Sequence, residues 1–253
     1  MIVTFLGTGT SQGIPVVACD CNVCSSMNFK DKRLRSSVYI EVGDTRFNID
    51  VGPDFRQQML THDIRQMDAI LMTHEHKDHT AGLDDVRAFN FKQGKDMPLY
   101  ARPQVLDQIT SEFSYIFSNH KYPGIPQVER IGITNSPFSL SDITIVPIEV
   151  MHHKLPVYGY RINDFAYITD ANFISEMEKL KLKNLKVLVI NALQIEKHLS
   201  HFTLSEAIEL INELKPEKAY LTHISHKLGL NTDVGSTLPE HIELAYDGLK
   251  ISI

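Results

Sequence analysis

The sequence has no apolar run approaching the roughly 20 residues that span a bilayer, so no membrane-crossing helix is expected. Its first residues, Met1-Ile2-Val3-Thr4-Phe5-Leu6-Gly7, carry neither a basic n-region nor a small-residue cleavage site and read as a strand, so no signal peptide is expected and the chain is placed in the cytoplasm. Cysteine is scarce: three copies, an odd number crowded between residues 19 and 24, make a poor disulfide framework and a reasonable metal site. Basic residues are outnumbered, 25 Lys and Arg against 31 Asp and Glu, and the formal net charge of −6 argues against a general affinity for nucleic acid. There is no long internal repeat and no low-complexity linker, so residues 1–253 are expected to form a single domain.

What the chain has in excess is histidine, twelve copies on an otherwise ordinary background of 43% hydrophobic and 22% charged residues. Three of them fall in Thr73-His74-Glu75-His76-Lys77-Asp78-His79, directly after the apolar run Ala69-Ile70-Leu71-Met72. Alternate residues of a strand point the same way, so His74 and His76 share a side, and Asp78 and His79 follow on the turn into a helix-like pattern (Leu83, Val86, Phe89). Imidazole and carboxylate suit zinc, manganese or iron, and these four groups exceed what one open catalytic site usually takes from protein, which suggests two metals.

More ligand-type residues stand at other strand ends. Asp142–Val150 alternates as a strand with His152-His153-Lys154 at its end. Val157–Ile162 and Phe165–Thr169 follow, the latter ending in Asp170, and Ala219–Thr222 ends in His223 with His226 three residues on. Ser37–Val42 and Arg46–Ile49 flank Gly43-Asp44, a hairpin signature. The second of these runs into Asp50-Val51-Gly52-Pro53, where Asp50 is either a group that orients a metal-bound histidine or a plain turn residue. A short helix is expected from Asp54 to about His62, and a buried strand over Val187–Ile190. The glycine-rich Gly7–Gly13 lacks both a following helix and a Gly-Lys-Ser/Thr, so it borders a cleft rather than cradling phosphate as a P-loop. Cys19-Asp20-Cys21-Asn22-Val23-Cys24 can wrap one tetrahedral zinc with a fourth ligand from elsewhere, the alternative being three unrelated reduced thiols. Thr203-Leu204-Ser205-Glu206 is a capping box opening an amphipathic helix (Leu204, Ile208, Ile211, Leu214) closed by Pro216. His201 sits on the loop feeding that N-terminus, where the positive dipole disfavours a second proton. Residues 90–127 carry the least readable pattern, within which a helical stretch turns at Pro123-Gly124. Its aromatics Phe113, Tyr115, Phe117 and Tyr122 are better explained as core than as a pocket cap, and no role is read for His153.

His-x-His-x-Asp-His over residues 74–79, with His152, Asp170 and His223 in that order, resembles the metallo-β-lactamase-fold superfamily across nearly the whole chain. The resemblance implies an α/β (α+β) fold, a four-layer αββα sandwich of two mixed β-sheets flanked by helices. It also implies one metal held by His74, His76 and His152, a second by Asp78, His79 and His223, and Asp170 as bridging carboxylate.

Within that superfamily the sequence is most similar to the PhnP-type phosphoribosyl cyclic phosphate phosphodiesterases. The similarity rests on Gly7-Thr8-Gly9, Ser11-Gln12-Gly13 with the cysteine knuckle, His152-His153-Lys154-Leu155 with Gly159-Tyr160, Thr169-Asp170-Ala171, and Leu221-Thr222-His223-Ile224-Ser225-His226. It implies a structural zinc on Cys19, Cys21, Cys24 and His226, His201 and Asp78 as catalytic residues, with His201 (ahead of His198) the general acid, and a homodimer. Two departures bear on substrate identity: a longer 90–127 region, and Asn191-Ala192-Leu193 where the family has an aspartate-containing segment.

The expected activity is a dinuclear metal-dependent phosphodiesterase, loaded with manganese, zinc or iron. A hydroxide bridging the metals would attack a small, cyclic ribose or nucleotide-like phosphodiester. A tRNA 3′-processing endonuclease shares the metal motif, but no Gly- and Lys-rich arm is present to grip tRNA. A glyoxalase-type thioester hydrolase has the same ligands without the knuckle. A non-enzymatic metal-binding sensing module is disfavoured because every ligand position and the candidate acid are filled.

Overall fold

The computed structural model describes residues 1–118 and 122–253. The first strands are β1 (Ile2–Gly7), β2 (Ser37–Val42), β3 (Thr45–Ile49), β4 (Ala69–Leu71), β5 (Met97–Ala101) and β6 (Val128–Gly132). Next come β7 (Phe138–Leu140), β8 (Ile143–His152), β9 (Leu155–Ile162), β10 (Phe165–Tyr167), β11 (Phe173–Ile174), β12 (Val187–Asn191), β13 (Lys218–Thr222) and β14 (Ile242–Leu244). A last strand, β15 (Lys250–Ser252), returns to pair antiparallel with β1.

The strands form two mixed sheets, ordered β15-β1-β2-β3-β4-β5-β6 and β11-β8-β9-β10-β12-β13-β14, with β7 beside β8. Each begins as an antiparallel meander and ends as a parallel run, β3-β4-β5-β6 in one and β10-β12-β13-β14 in the other.

Period-two alternation divides the core into layers. In β4, Ala69 and Leu71 enter the cluster between the sheets, while Ile70 packs outward with Phe55, Phe89 and Ile109 of the first helical layer. In β12, Val187 and Val189 face the other sheet, and Leu188 and Ile190 meet Ala207, Leu210 and Ile211 of the helix Leu204–Leu214. The result is helix, sheet, sheet, helix, as the family resemblance implies. No helix among the described residues is long and apolar enough to cross a membrane.

The region 90–127, least readable in sequence, is more than the helical stretch around its aromatics. It supplies β5, the helices Pro103–Glu112 and Ser114–Phe117, and the approach to β6; its residues 119–121 lie outside the described residues. Met97, Leu99 and Ala101 are buried because β5 is flanked by β4 and β6, so a short strand there finds partners its own sequence does not announce. Phe113, Tyr115 and Phe117 pack partly buried against the outer cluster of the first sheet, as core residues, whereas Tyr122 is 60% exposed.

A buried network ties the chain's two ends together behind the site. Arg33 donates to Thr8 Oγ1 at 2.7 Å and to the Ala245 carbonyl at 2.5 Å, and Thr8 donates to Asp247 at 2.7 Å. The Leu34 N–H donates to Asp247 at 2.6 Å. Burial pushes the Asp247 carboxyl up to about 6 in spite of these donors and Arg33. Because the unfolded carboxyl ionises near the ordinary aspartate value, the folded chain binds a proton more tightly between about pH 4 and 6. The stability this group contributes at low pH is therefore lost as pH rises through that window. Asp247→Asn is expected to flatten the stability–pH profile from about pH 4 to 6 in urea melts; a slope equal to wild type would place the titration elsewhere.

Candidate functional site

The parallel halves of the two sheets end at one shared edge, the place where open α/β sheets bind ligands. The sheets are joined there by Tyr158 N–H to the Thr73 carbonyl (3.1 Å) and by the Tyr160 hydroxyl to the Met72 carbonyl (2.6 Å). Three side chains on this edge leave their strands in the left-handed region, Asp50 (φ 63), Asp170 (φ 55) and His223 (φ 54). A non-glycine residue is rarely held so, and such strain clusters at functional sites. The turn after Asp50 needs glycine for a different reason, since a Cβ on Gly52 would stand 2.1 Å from the Asp78 carbonyl oxygen.

Asp50 resolves the two readings left open by its sequence position. Fully buried at the end of β3, it accepts the Thr73 N–H and the Thr73 hydroxyl, both at 2.8 Å, and His79 Nδ1 lies 2.7 Å from its Oδ2. Thr73 Oγ1, its own proton committed to Asp50, lies 2.9 Å from His74 Nδ1 and accepts from it. One carboxylate therefore orients both rings through Nδ1 and turns both Nε2 atoms into the site, where a bound metal would displace any second proton. His152 is set the same way, its Nδ1 donating to the Ser200 carbonyl at 2.9 Å.

The remaining predicted ligands converge on these. His74 Nε2 is 3.0 Å from His76 Nδ1, and the ligand atoms of His74, His76 and His152 all lie within 4.8 Å of one another. Those of Asp78, His79, Asp170 and His223 form a second such group. His79 Nε2 is buried without a hydrogen-bond partner and faces carboxylate oxygens of Asp78 and Asp170, each at 3.2 Å. His223 Nδ1 is also 3.2 Å from Asp170, with Thr10, Ser36 and Thr169 hydroxyls around its ring.

Electrostatics follow from this crowding. Burial, then the neighbouring His79, holds His74 well below the ordinary histidine value. Burial also lowers His223. Desolvation opposes a proton on His79, yet Asp78, Asp170 and Asp50 together raise it well above that value. Asp170 is held low by His223 and His79 against its own burial. Two carboxylates facing one orphaned ring nitrogen, with a third behind the ring on Nδ1, form a field that a divalent cation satisfies, and imidazole-plus-carboxylate is the donor set such a cation takes. The residues present fit a pair of metal ions.

His201 and His198 separate clearly. The ligand atoms of His201 fall within 4.8 Å of those of His152 and Asp170, and its ring stacks on His223 at 4.9 Å, whereas His198 stands behind it at 5.1 Å. His201 Nδ1 is buried without a partner, 3.8 Å from Asp170. Burial, then His223, lowers its pKa to about 3; the neutral ring expected from the helix dipole is neutral chiefly because it is desolvated. His153 is exposed on the β8–β9 turn, with its backbone N–H held by Asn172.

The cysteine knuckle forms beneath the same edge. His226 Nδ1 lies 3.3, 3.4 and 3.5 Å from the sulfurs of Cys19, Cys21 and Cys24. Zinc with bonds of about 2.3 Å to sulfur and about 2.0 Å to nitrogen sets tetrahedral S···N edges of roughly 3.5 Å, so the four residues fit a zinc ion. The Cys24 backbone N–H, followed by Cys19 and His226, lowers Cys21 to about 6, while burial pushes Cys24 up to about 11.

Asn191 is the positioning residue that sequence reasoning missed. Its side chain accepts the Ala171 N–H at 2.8 Å and donates to the Ala171 carbonyl at 2.9 Å, clamping the backbone directly after Asp170. A buried amide at the end of a strand was the available signal.

Residues 45–224 match the Beta-lactamase superfamily domain model. A solved diphosphatase from the PhnP family is 37% identical, with a TM-score of 0.94 over 100% of this chain and 97% of its own. The chain belongs to the beta-lactamase superfamily and to its PhnP family. The fold described above is the one that membership implies. Human tRNase Z, short form, shares the fold at a TM-score of 0.74 and 18% identity, covering 100% of this chain and 99% of that one. Among curated proteins, an Octanoyltransferase of Porphyromonas gingivalis is 40% identical over 98% of this chain and 51% of its own length. A Ribonuclease Z of Crocosphaera subtropica is 29% identical over 64% of this chain and 47% of its own. The chain thus spans about half the length of these curated relatives.

Proposed function

We propose that this PhnP-family chain hydrolyses a small phosphodiester, of cyclic ribose or nucleotide-like type, with two divalent ions in the edge site and a structural zinc in the knuckle. His74, His76 and His152 would hold one ion, Asp78, His79 and His223 the other, and Asp170 would stand between them; Cys19, Cys21, Cys24 and His226 would hold the zinc. The observation that carries the reading is the buried, unpartnered His79 Nε2 facing the carboxylates of Asp78 and Asp170. A carboxylate in that central position, rather than a thiolate, makes the donor set hard enough for phosphate oxygens. When bound, such an ion pair supplies Lewis acidity, lowering the pKa of water and drawing charge from a substrate oxygen.

The chain's own residues do the rest. Asp50 keeps the His74 and His79 rings in register, and Asn191 holds Asp170 in its left-handed conformation. His201, held neutral by burial, presents a ring N–H that hydrogen-bonds the departing oxygen. As negative charge develops there and favours the imidazolium, the ring takes up a proton from water and passes it to that oxygen as the ester bond breaks, returning to neutral imidazole. Steps of this kind contribute roughly 10²–10⁴-fold. His201→Ala is therefore expected to keep its metals and to lose rate by about that factor for alkoxide leaving groups, and far less for p-nitrophenolate. Equal losses for both would count against proton donation.

A thioester reading has one specific support, the 40% identity to the Porphyromonas gingivalis Octanoyltransferase, of which this chain matches 51%. The deciding assay loads the protein with manganese and offers a simple phosphodiester, a cyclic ribose phosphate, a glutathione thioester and an octanoyl thioester side by side. Cleavage of phosphodiesters alone is the expected result; cleavage of thioesters alone overturns the proposal.

A further inference from the structure

His201 is placed in the site without help from its own Nδ1, which is buried and has no hydrogen-bond partner. Its ring lies among other imidazoles, with centroids 4.6 Å from His152, 4.9 Å from His223 and 5.1 Å from His198. Such ring contacts limit tilt, so how far His201 reaches into the site is set by the backbone that carries it.

That backbone is a loop between β12 and the helix Leu204–Leu214. Its base is closed by the Leu193 N–H to the Phe202 carbonyl and the Leu204 N–H to the Gln194 carbonyl, both at 3.0 Å, and the Phe202 N–H donates to the Ala171 carbonyl at 2.7 Å. The tip, residues 195–200, is mostly exposed. Its ion pair, Lys197 to Glu206, has a lysine side chain 84% exposed and holds little. Two hydrogen bonds from β8 and from the segment after Asp170 fix it instead. His152 Nδ1 donates to the Ser200 carbonyl at 2.9 Å, and Asn172 Nδ2 donates to the Leu199 carbonyl at 3.1 Å. These are the two consecutive carbonyls before His201. One hydrogen bond fixes a point and lets the loop swing about it; a second at the neighbouring carbonyl fixes the direction of the chain as well.

Asn172 has a firm base for this task. Its backbone N–H donates to the Met151 carbonyl at 2.8 Å, and its Oδ1 accepts the His153 N–H at 2.8 Å, where His153 turns at φ 56. An N–H only donates and a carbonyl only accepts, so these two partners settle which way the amide points. Asn172 is in neither group of assigned metal ligands, whereas the Ser200 carbonyl is held by His152, which is.

We infer that Asn172 is a positioning residue for the proton transfer: by holding the Leu199 carbonyl it delivers the His201 ring to the departing oxygen. The inference rests on the preceding assignment of His201 to that oxygen. Without Asn172 the tip hangs from His152 alone, and His201 moves while the metal ligands stay. A displacement of about 1 Å in a reacting group can cost about a hundredfold in rate.

Asn172→Ala is compared with wild type on methyl p-nitrophenyl phosphate and on the methyl ester of ribose 5-phosphate, with metal content measured beside turnover. The expected result is a loss of about tenfold to a hundredfold for the alkoxide leaving group, a much smaller loss for p-nitrophenolate, and unchanged metal. In Asn172→Ala/His201→Ala the two losses are expected not to add, because both act through one ring. Asn172→Asp keeps an acceptor for the His153 N–H but sets an oxygen against the Leu199 carbonyl, so it is expected to behave as Asn172→Ala. A second readout needs no turnover: in zinc-loaded protein with ¹³C-labelled histidine, the His201 ring signal, identified by its absence in His201→Ala, is expected to shift in both Asn172 variants. An unmoved His201 signal, full additivity in the double variant, or wild-type rates in Asn172→Asp overturns the inference. A shifted signal with equal losses for both leaving groups in His201→Ala overturns the proton-donor assignment instead, and leaves Asn172 as the residue that places the ring.

Discussion

His74→Ala and Asp170→Ala are each expected to bring phosphodiester turnover to background and to strip the edge site of metal, while the knuckle keeps its zinc. The two substitutions act differently. Under the proposed assignment His74 would donate from an Nε2 oriented by the Asp50–Thr73 relay, so its loss would remove one of three nitrogen ligands from one ion. Asp170 lies 3.2 Å from both His79 and His223 and within 4.8 Å of His152 and His201 ligand atoms, so under the proposed assignment its loss would affect both ions at once. Metal analysis beside turnover separates a damaged site from a misfolded chain, because zinc retained by Cys19, Cys21, Cys24 and His226 reports an intact rim. Unchanged turnover in both variants would sink the assignment of the site.

Removing Asp50 should be almost as severe although it would touch no metal. Asp50→Ala leaves three donors, the Thr73 N–H, the Thr73 hydroxyl and His79 Nδ1–H, without their acceptor in a fully buried place. Each such group costs about 1–3 kcal/mol, and removing one partner of a buried charged pair generally costs about 3–5 kcal/mol. Freed of the relay, the His74 and His79 rings no longer have a fixed tautomer, and metal affinity is expected to fall about 10–100-fold. Asp50→Asn keeps the volume but turns an amide N–H toward one of the donors, so it should weaken metal binding without the full loss of stability. Urea melts of the metal-free chain and competitive metal titrations measure the two effects separately. Wild-type metal affinity in Asp50→Ala would mean that the rings are held by packing alone.

Much of the fold was legible because its periodicity is local. The alternation in β8 and β9, the Gly43-Asp44 hairpin and the Thr203–Glu206 capping box all carry their geometry in neighbouring residues, and all are present. What escaped notice depends on distant partners. β5 lies in the least readable stretch and β6 directly after it, and they are strands because β4 extends the sheet to β5 and β5 extends it to β6. β15 has three residues and no pattern of its own; it exists because β1 offers it an edge. Lys179–Lys186 reads as a solvated run, yet the turn Leu180–Leu182 and the segment after it bury Leu182 and Leu185, and Lys179 and Lys181 are committed to carboxylates.

The candidate site divides along the same line. The sequence alone supplied the donors: the residue types at 74–79, 152, 170 and 223 and the knuckle cysteines, since ligand chemistry belongs to side chains and their spacing. Only the tertiary structure decided which nitrogen each ring offers, because the acceptors that set His74 and His79 lie on another strand, at Asp50. It also decided that Asp170 sits between two groups of ligands, and that His201 rather than His198 joins them. Those outcomes depend on three residues held at positive φ and on two sheets meeting at one edge. Such arrangements arise from contacts between segments tens to hundreds of residues apart, which no local pattern records.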